Sequence, residues 1–195
     1  MASASLETKG GNKPSGLYPR LMGSAWSEVH ETVRRAHASS EVLRGEGLFR
    51  VVHGEGVLAR VLVRLLRIPE ATEGGRVHLK VTSQKHGERW LRTFGERRLV
   101  STQREGTGGL LVERRGFLEF RFRLEVADGA ICYRQEAFGM RFGPVYVPMP
   151  FWISPQVAAR EGPGKSPDQS SVVVTVFAPI TGLLFKYEGE IQIKG

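Results

Sequence analysis

From Val77 onward the chain alternates apolar and polar residues with a period of two, and it keeps that period almost to its end. Val77, Leu79 and Val81 alternate with His78, Lys80 and Thr82. Leu118, Phe120, Phe122, Leu124 and Val126 alternate with Glu119, Arg121, Arg123 and Glu125. Successive side chains of a strand point to opposite faces, so the pattern describes antiparallel strands with one dry and one wet face. Turn residues punctuate it at Lys85-His86-Gly87, Gly95-Glu96, Glu105–Gly109 and Asp128-Gly129, the last a hairpin signal. Strands are expected at 77–82, 88–94, 97–104, 110–114, 117–126, 130–138, 156–161, 171–178 and 183–193, with a flexible turn at 162–170. Residues 139–155 interrupt the series. Pro144, Pro148, Pro150 and Pro155 interleave there with Phe142, Tyr146, Phe151 and Trp152, and prolines that dense forbid a central strand.

Before Pro69 the period is helical. Tyr18, Leu21, Met22, Ala25, Trp26, Val29, Val33 and Ala36 form one stripe, with Ser24 placed to cap it. A second helix is expected over 56–68. Val57, Leu58, Val61, Leu62, Leu65 and Leu66 form its core-facing side, Arg60, Arg64 and Arg67 the other, and Pro69 ends it. Residues 41–53 read as extended, with Gly45 and Gly47 suggesting a bulge. Residues 1–15, rich in Ser, Gly and Lys, read as a disordered arm, and 16–195 as one domain. Two early helices followed by consecutive strands exclude a βαβ architecture. The expected fold is α+β: a long antiparallel sheet of about eight to ten strands, curled into a barrel or half-barrel to bury its dry face.

The net charge is +8. It draws the chain toward anions, although the arginines are scattered as on solvated strand faces. The single cysteine, Cys132, excludes an intrachain disulfide and suits a reducing compartment. The first residues lack the apolar run of a secretory signal, and nothing approaches the ~20 apolar residues of a membrane span. The chain reads as cytoplasmic.

Motifs of chemistry are sparse. Gly54-Glu55-Gly56-Val57-Leu58-Ala59 fits G-x-G-x-x-A between a strand and a helix, but no further βα units follow, and no acidic residue ends the next strand to hold a ribose. What survives is an anion-binding candidate formed by Gly54, Gly56 and Arg60 at a helix start. Gly164-Lys165-Ser166 lacks the first glycine of a P-loop, since Ala159 stands there. His53-Gly54-Glu55 and His86-Gly87-Glu88 each supply two potential metal ligands and no third. No metal and no cofactor is expected. The Arg60, Arg64 and Arg67 stripe raises peripheral contact with an anionic membrane, and the segment 142–152 could form a lid or a membrane-touching loop. Trp90, Arg92 and Phe94 share a strand face, as a nucleic-acid surface would need. Phe120 and Phe122, however, face away from Arg121 and Arg123, so nucleic acid is not the expected partner.

Several stretches together resemble a known family. They are Leu17-Tyr18-Pro19-Arg20-Leu21-Met22-Gly23 running on through Trp26 to Val33-Arg34-Arg35-Ala36-His37; Glu88-Arg89-Trp90 with Phe94-Gly95; Leu111-Val112-Glu113-Arg114; Phe120-Arg121-Phe122; and Gly182-Leu183-Leu184-Phe185-Lys186-Tyr187-Glu188-Gly189. The chain resembles the bacterial domain-of-unknown-function family 4166 over residues 17–193. The resemblance implies one intact domain. It also implies an association with dehydrogenase-like modules, to which members look fused in longer chains.

The functional expectation is a binding or accessory domain whose curled sheet holds an apolar or amphipathic small ligand with an acidic head. Trp90, Phe120, Phe122, Tyr133 and Trp152 are its expected lining, with an arginine pairing to the head. The alternatives are an enzyme using the same cavity and an interaction module for an oxidoreductase partner.

Overall fold

The computed structural model describes residues 16–37 and 41–194; the expected arm at 1–15 lies outside them. Eleven strands form one antiparallel sheet: β1 (Val42–His53), β2 (Thr72–Gln84), β3 (Gly87–Phe94), β4 (Arg97–Glu105), β5 (Leu111–Arg115), β6 (Leu118–Ala127), β7 (Ala130–Phe142), β8 (Val145–Pro148), β9 (Gln156–Pro163), β10 (Gln169–Ala178) and β11 (Gly182–Lys194). Ten of them close into a barrel in the order β1-β2-β3-β4-β5-β6-β7-β9-β10-β11, and β8 hangs as a hairpin from the end of β7. The first and last strands complete the ring, paired from Arg44 opposite Lys194 to His53 opposite Phe185. Of the barrel and half-barrel left open by the alternation, the closed barrel is the fold. Pro148 sits in the edge hairpin, as the proline-rich segment requires.

Local chemistry explains the strand ends. Asp128 and Gly129 take left-handed φ values of 51° and 71°, which give the tight β6–β7 hairpin. The bulge expected at Gly45 and Gly47 is absent there. The β1–β2 register runs evenly through both and shifts between Phe49 and Val51. Gly47 serves close approach instead: a Cβ there would lie 1.8 Å from the Glu190 carbonyl oxygen of β11.

The single early helix divides into three pieces: α1 (Leu17–Met22), a 3₁₀ turn (Gly23–Glu28) and α2 (Glu31–Ala36). Gly23, at φ 56°, ends α1, so Ser24 lies inside the 3₁₀ turn and caps nothing. The cap of α2 is His30, whose ring accepts from the Thr32 N–H at 3.3 Å. α3 (Val57–Leu65) stops earlier than its pattern implies, with Arg67 left-handed at φ 50° ahead of Pro69. Only part of its apolar stripe is core. Ala59 and Val63 are buried and Leu62 and Leu66 pack on the core, but Val57, Leu58, Val61 and Leu65 face solvent. No helix among the described residues is long and apolar enough to cross a membrane.

Because the strands alternate in direction, their connections gather at two ends. One end is plugged by α1, α2 and the turn between them: α1 packs on β4 and β6, α2 packs on β9 and β10, and the His30 N–H donates to the Gly129 carbonyl at 2.8 Å. The other end, the mouth, carries α3, the β5–β6 turn, the 143–155 connection and the β10–β11 turn.

On the outer wall, Glu119 is fully buried beneath β8. Arg141 and Arg121 (3.0 Å) donate to it, Arg104 lies at 3.8 Å, and Tyr146 stacks 4.1 Å from the Arg121 guanidinium. Burial pushes the Glu119 carboxyl up, but the hydrogen bonds and charges of Arg141 and Arg121 outweigh it and hold the group below its usual value. A depressed folded value means stability that is complete above the ordinary carboxylate range and lost as pH falls through the lowered value. Glu119→Gln should therefore unfold at lower urea at neutral pH, losing about 3 kcal/mol, near the low end for breaking a buried pair because the arginines reach solvent. The gap to the native protein should close in strong acid, and a gap independent of pH would contradict this account.

Candidate functional site: a cavity with a polar floor

The barrel encloses a cavity of about 400 Å³. Toward the mouth its wall is apolar, formed by Phe94, Leu99, Phe120, Phe138, Val157 and Phe185, and Leu62 of α3 and Leu66 just after it reach its rim. Phe120 and Phe138 lie 4.8 Å apart, centroid to centroid. Toward the plug the inward positions turn polar, with Arg92, Ser101, Gln103, Glu113, Tyr133 and Glu161. Each occupies a register that the period of two assigns to the dry face, as the second member of Trp90-x-Arg92, Leu99-x-Ser101, Leu111-x-Glu113 and Ala159-x-Glu161.

The plug supplies a layer behind this floor. Tyr18 of α1 is wholly buried and donates to Gln103 Oε1 at 2.8 Å, and its hydroxyl lies 3.0 Å from that of Tyr133. Tyr133 donates to Glu161 Oε1 at 3.0 Å, and His37 Nε2 lies 2.6 Å from Glu161 Oε2. The His37 ring lies 3.7 Å from that of Tyr18. At the other end Gln103 Nε2 donates to Glu113 Oε2 at 3.2 Å. Arg92 lies 3.7 Å from Glu113, donates to Ser101 at 3.2 Å and sits 4.9 Å over the Trp90 ring. The Arg92 and Glu113 side chains keep 18% and 23% of their surface. Both residues line the cavity.

Burial opposes ionisation of Glu161, but the charge and hydrogen bond of His37, then the Tyr133 hydroxyl, outweigh it and hold this carboxyl below its ordinary value. Burial, with Glu161 next in effect, raises Tyr18 and Tyr133 well above a normal phenol. Burial also pushes Tyr187 up to about 12. These phenols therefore stay neutral donors. Burial works against the charge of Arg92, yet Tyr187, Glu113 and Glu161 around it hold the guanidinium more firmly protonated than usual.

The hydrogens of this chain can be counted. Four contacts link Glu161, Tyr133, Tyr18, Gln103 and Glu113. Between two ionised carboxylates, each phenol supplies one hydrogen, and the amide donates toward only one of its two neighbours. Three hydrogens serve four contacts, and the Tyr18–Tyr133 contact is the one left without. With Glu161 held ionised by His37 and Tyr133, the floor is a chain of neutral donors running between two cavity carboxyls.

Of the expected lining, Trp90, Phe120, Phe122 and Tyr133 lie on the cavity, whereas Trp152 stands outside it at the mouth, 72% exposed. Gly54, Gly56 and Arg60 lie at the start of α3. The Gly54 N–H donates to the Leu184 carbonyl at 3.1 Å, and the Gly56 carbonyl accepts from Arg60 N–H. His53 contacts the Pro69 carbonyl at 2.7 Å. Trp90, Arg92 and Phe94 do share a face, and it points inward. Tyr18, His37, Gln103, Glu113 and Glu161 form no local motif, because their partners stand 10 to 124 residues apart. The available signal was a polar residue in the dry register of a strand.

Tyr18→Phe removes the hydroxyl that joins the two halves of this chain, while Tyr133 to Glu161 and Gln103 to Glu113 keep a hydrogen each, so the variant should fold with about 1 kcal/mol lost in stability. Urea unfolding of the two proteins measures this, and an unchanged stability would overturn the bond to Gln103.

No curated protein and no solved structure matches the chain. A family model does match, over residues 29–191, spanning the strands of the barrel and α2 of the plug. The chain therefore belongs to the family described as domain of unknown function DUF4166.

Proposed function

We propose that the barrel is a binding domain for an amphipathic small molecule, with an acidic head on the polar floor and an apolar body against the wall toward the mouth. The observation that carries this is the cavity itself, whose volume of about 400 Å³ falls within the ~300–1,000 Å³ of small-molecule sites. Its lining also has the usual composition of such sites, mostly apolar with a few convergent polar groups.

Charge supports the acidic head. Arg92 and Arg115 both line the cavity with Glu113 and Glu161. Arg115 donates to the Leu66 carbonyl at 2.5 Å and, among the described residues, pairs with no carboxylate. Glu161 already pairs with His37, so Arg92 is left to share Glu113 with an anionic head, and Arg115 adds an unpaired positive charge nearer the mouth. Ser170, 3% exposed and lining the cavity, has a hydroxyl with no partner among the described residues and offers it a further hydrogen bond.

A second reading rests on the two cavity carboxyls, Glu113 and Glu161. Two carboxyls on one cavity, joined through a chain of neutral donors, suit acid–base chemistry on the bound molecule. Turnover that Glu113→Gln abolishes without loss of binding would favour it.

Calorimetric titration with monomeric decanoate and with its methyl ester tests the binding reading. The acid should bind and the ester more weakly. Arg92→Leu should weaken the acid by roughly 10- to 100-fold, the worth of a charge-assisted hydrogen bond, and leave the ester unchanged. Phe120→Trp, which narrows the cavity and removes no charge, should weaken both. Failure of both probes to bind the native protein would overturn the cavity reading, and equal binding of acid and ester would overturn the acidic head.

A further inference from the structure

The exposed apolar side chains are not scattered. Among the described residues, the most exposed large hydrophobics lie on the connections at the mouth of the barrel. α3 presents Val57 and Leu65, the β5–β6 turn Phe117, the proline-rich connection Phe151 and Trp152, and the β10–β11 turn Ile180. Leu65, Phe151, Trp152 and Ile180 are 72–81% exposed. Four separate connections thus place apolar tips around one opening, and a single local packing defect does not produce that arrangement. Exposed apolar side chains gathered around one opening mark an interaction surface.

Its charge says which kind. The segments 54–71, 95–98, 114–117, 141–155 and 179–181 carry eight arginines and three glutamates. Glu70, one of the three, lies 3.8 Å from Arg97. Arg60 and Arg64 on α3, and Arg67 just beyond it, pair with no carboxylate among the described residues, and they flank the exposed Val57, Val61 and Leu65. Apolar tips beside the unpaired arginines of the α3 segment match the acyl boundary and headgroups of an anionic bilayer, where tryptophan is also favoured.

We propose that the mouth docks on anionic membrane surfaces, with Phe151, Trp152 and the outer face of α3 entering the interface and the α3 arginines meeting the lipid phosphates. Docked in this way, the apolar half of the cavity opens toward the acyl layer rather than toward water, so an amphipathic molecule can pass between the two. The docking stands on the rim alone and does not need a filled cavity.

The test is flotation of the full chain with phosphatidylcholine vesicles, with and without phosphatidylglycerol, following tryptophan fluorescence. Binding is expected with the anionic vesicles, with a blue shift from Trp152 and weakening as salt rises. F151A/W152A and, separately, R60E/R64E should each reduce binding by about tenfold or more. Both variants change exposed side chains, and unchanged circular dichroism confirms their fold. No binding of the native protein at low salt overturns the proposal, as does binding that neither variant reduces. A stable dimer that buries the rim and excludes vesicles overturns it in favour of a second copy as occupant. The cavity test uses monomeric decanoate without vesicles, so the two readings fail independently.

Discussion

The hydrogen-bonded pairing of the first strand with the last governs this molecule. Once β1 and β11 join, the sheet has no edge in the ring and every inward side chain is committed to one enclosed space. Eight strands give an interior that side chains just fill; ten give more. The cavity follows from strand number and closure, before any residue is chosen for binding. The close approach at Gly47, where no Cβ fits against the Glu190 carbonyl, is part of the same closure.

Much of this was legible in the chain. The period of two located the strands, and Asp128-Gly129 located a hairpin, because both signals are local. What the alternation could not distinguish was a packed core from a hollow one. Both require the same dry face. It also could not place α3. A stripe of valines and leucines looks like core on any helix, yet Val57, Val61 and Leu65 face solvent because α3 lies across the rim and only Ala59 and Val63 reach fully inside. The early stripe from Tyr18 to Ala36 reads as one helix because its spacing is nearly continuous, and the break lies in the backbone at Gly23, whose φ of 56° redirects the chain.

The site was less legible for a related reason. Trp90, Phe122 and Tyr133 could be named as lining because aromatics in a dry register must point inward. The charged members sit in that same register, as Arg92 does between Trp90 and Phe94, and in isolation each resembles an interruption of the pattern. They make sense only together. A buried carboxylate is tolerable next to His37 and Tyr133, and those neighbours come from elements far away in the chain. No local window contains that information.

Those distances have a kinetic meaning. Tyr18 meets Tyr133 across 115 residues and His37 meets Glu161 across 124. β1 finds β11 across a comparable span. Contacts this remote demand large loop closures before they stabilise anything, which places the chain among slow-folding topologies. The hairpins can zip early, but the plug has no binding partner until the ring around it exists. A nearly folded chain would thus be a strand array with its dry face open and its terminal helices undocked. In the cell that intermediate would be the species most in need of a chaperone.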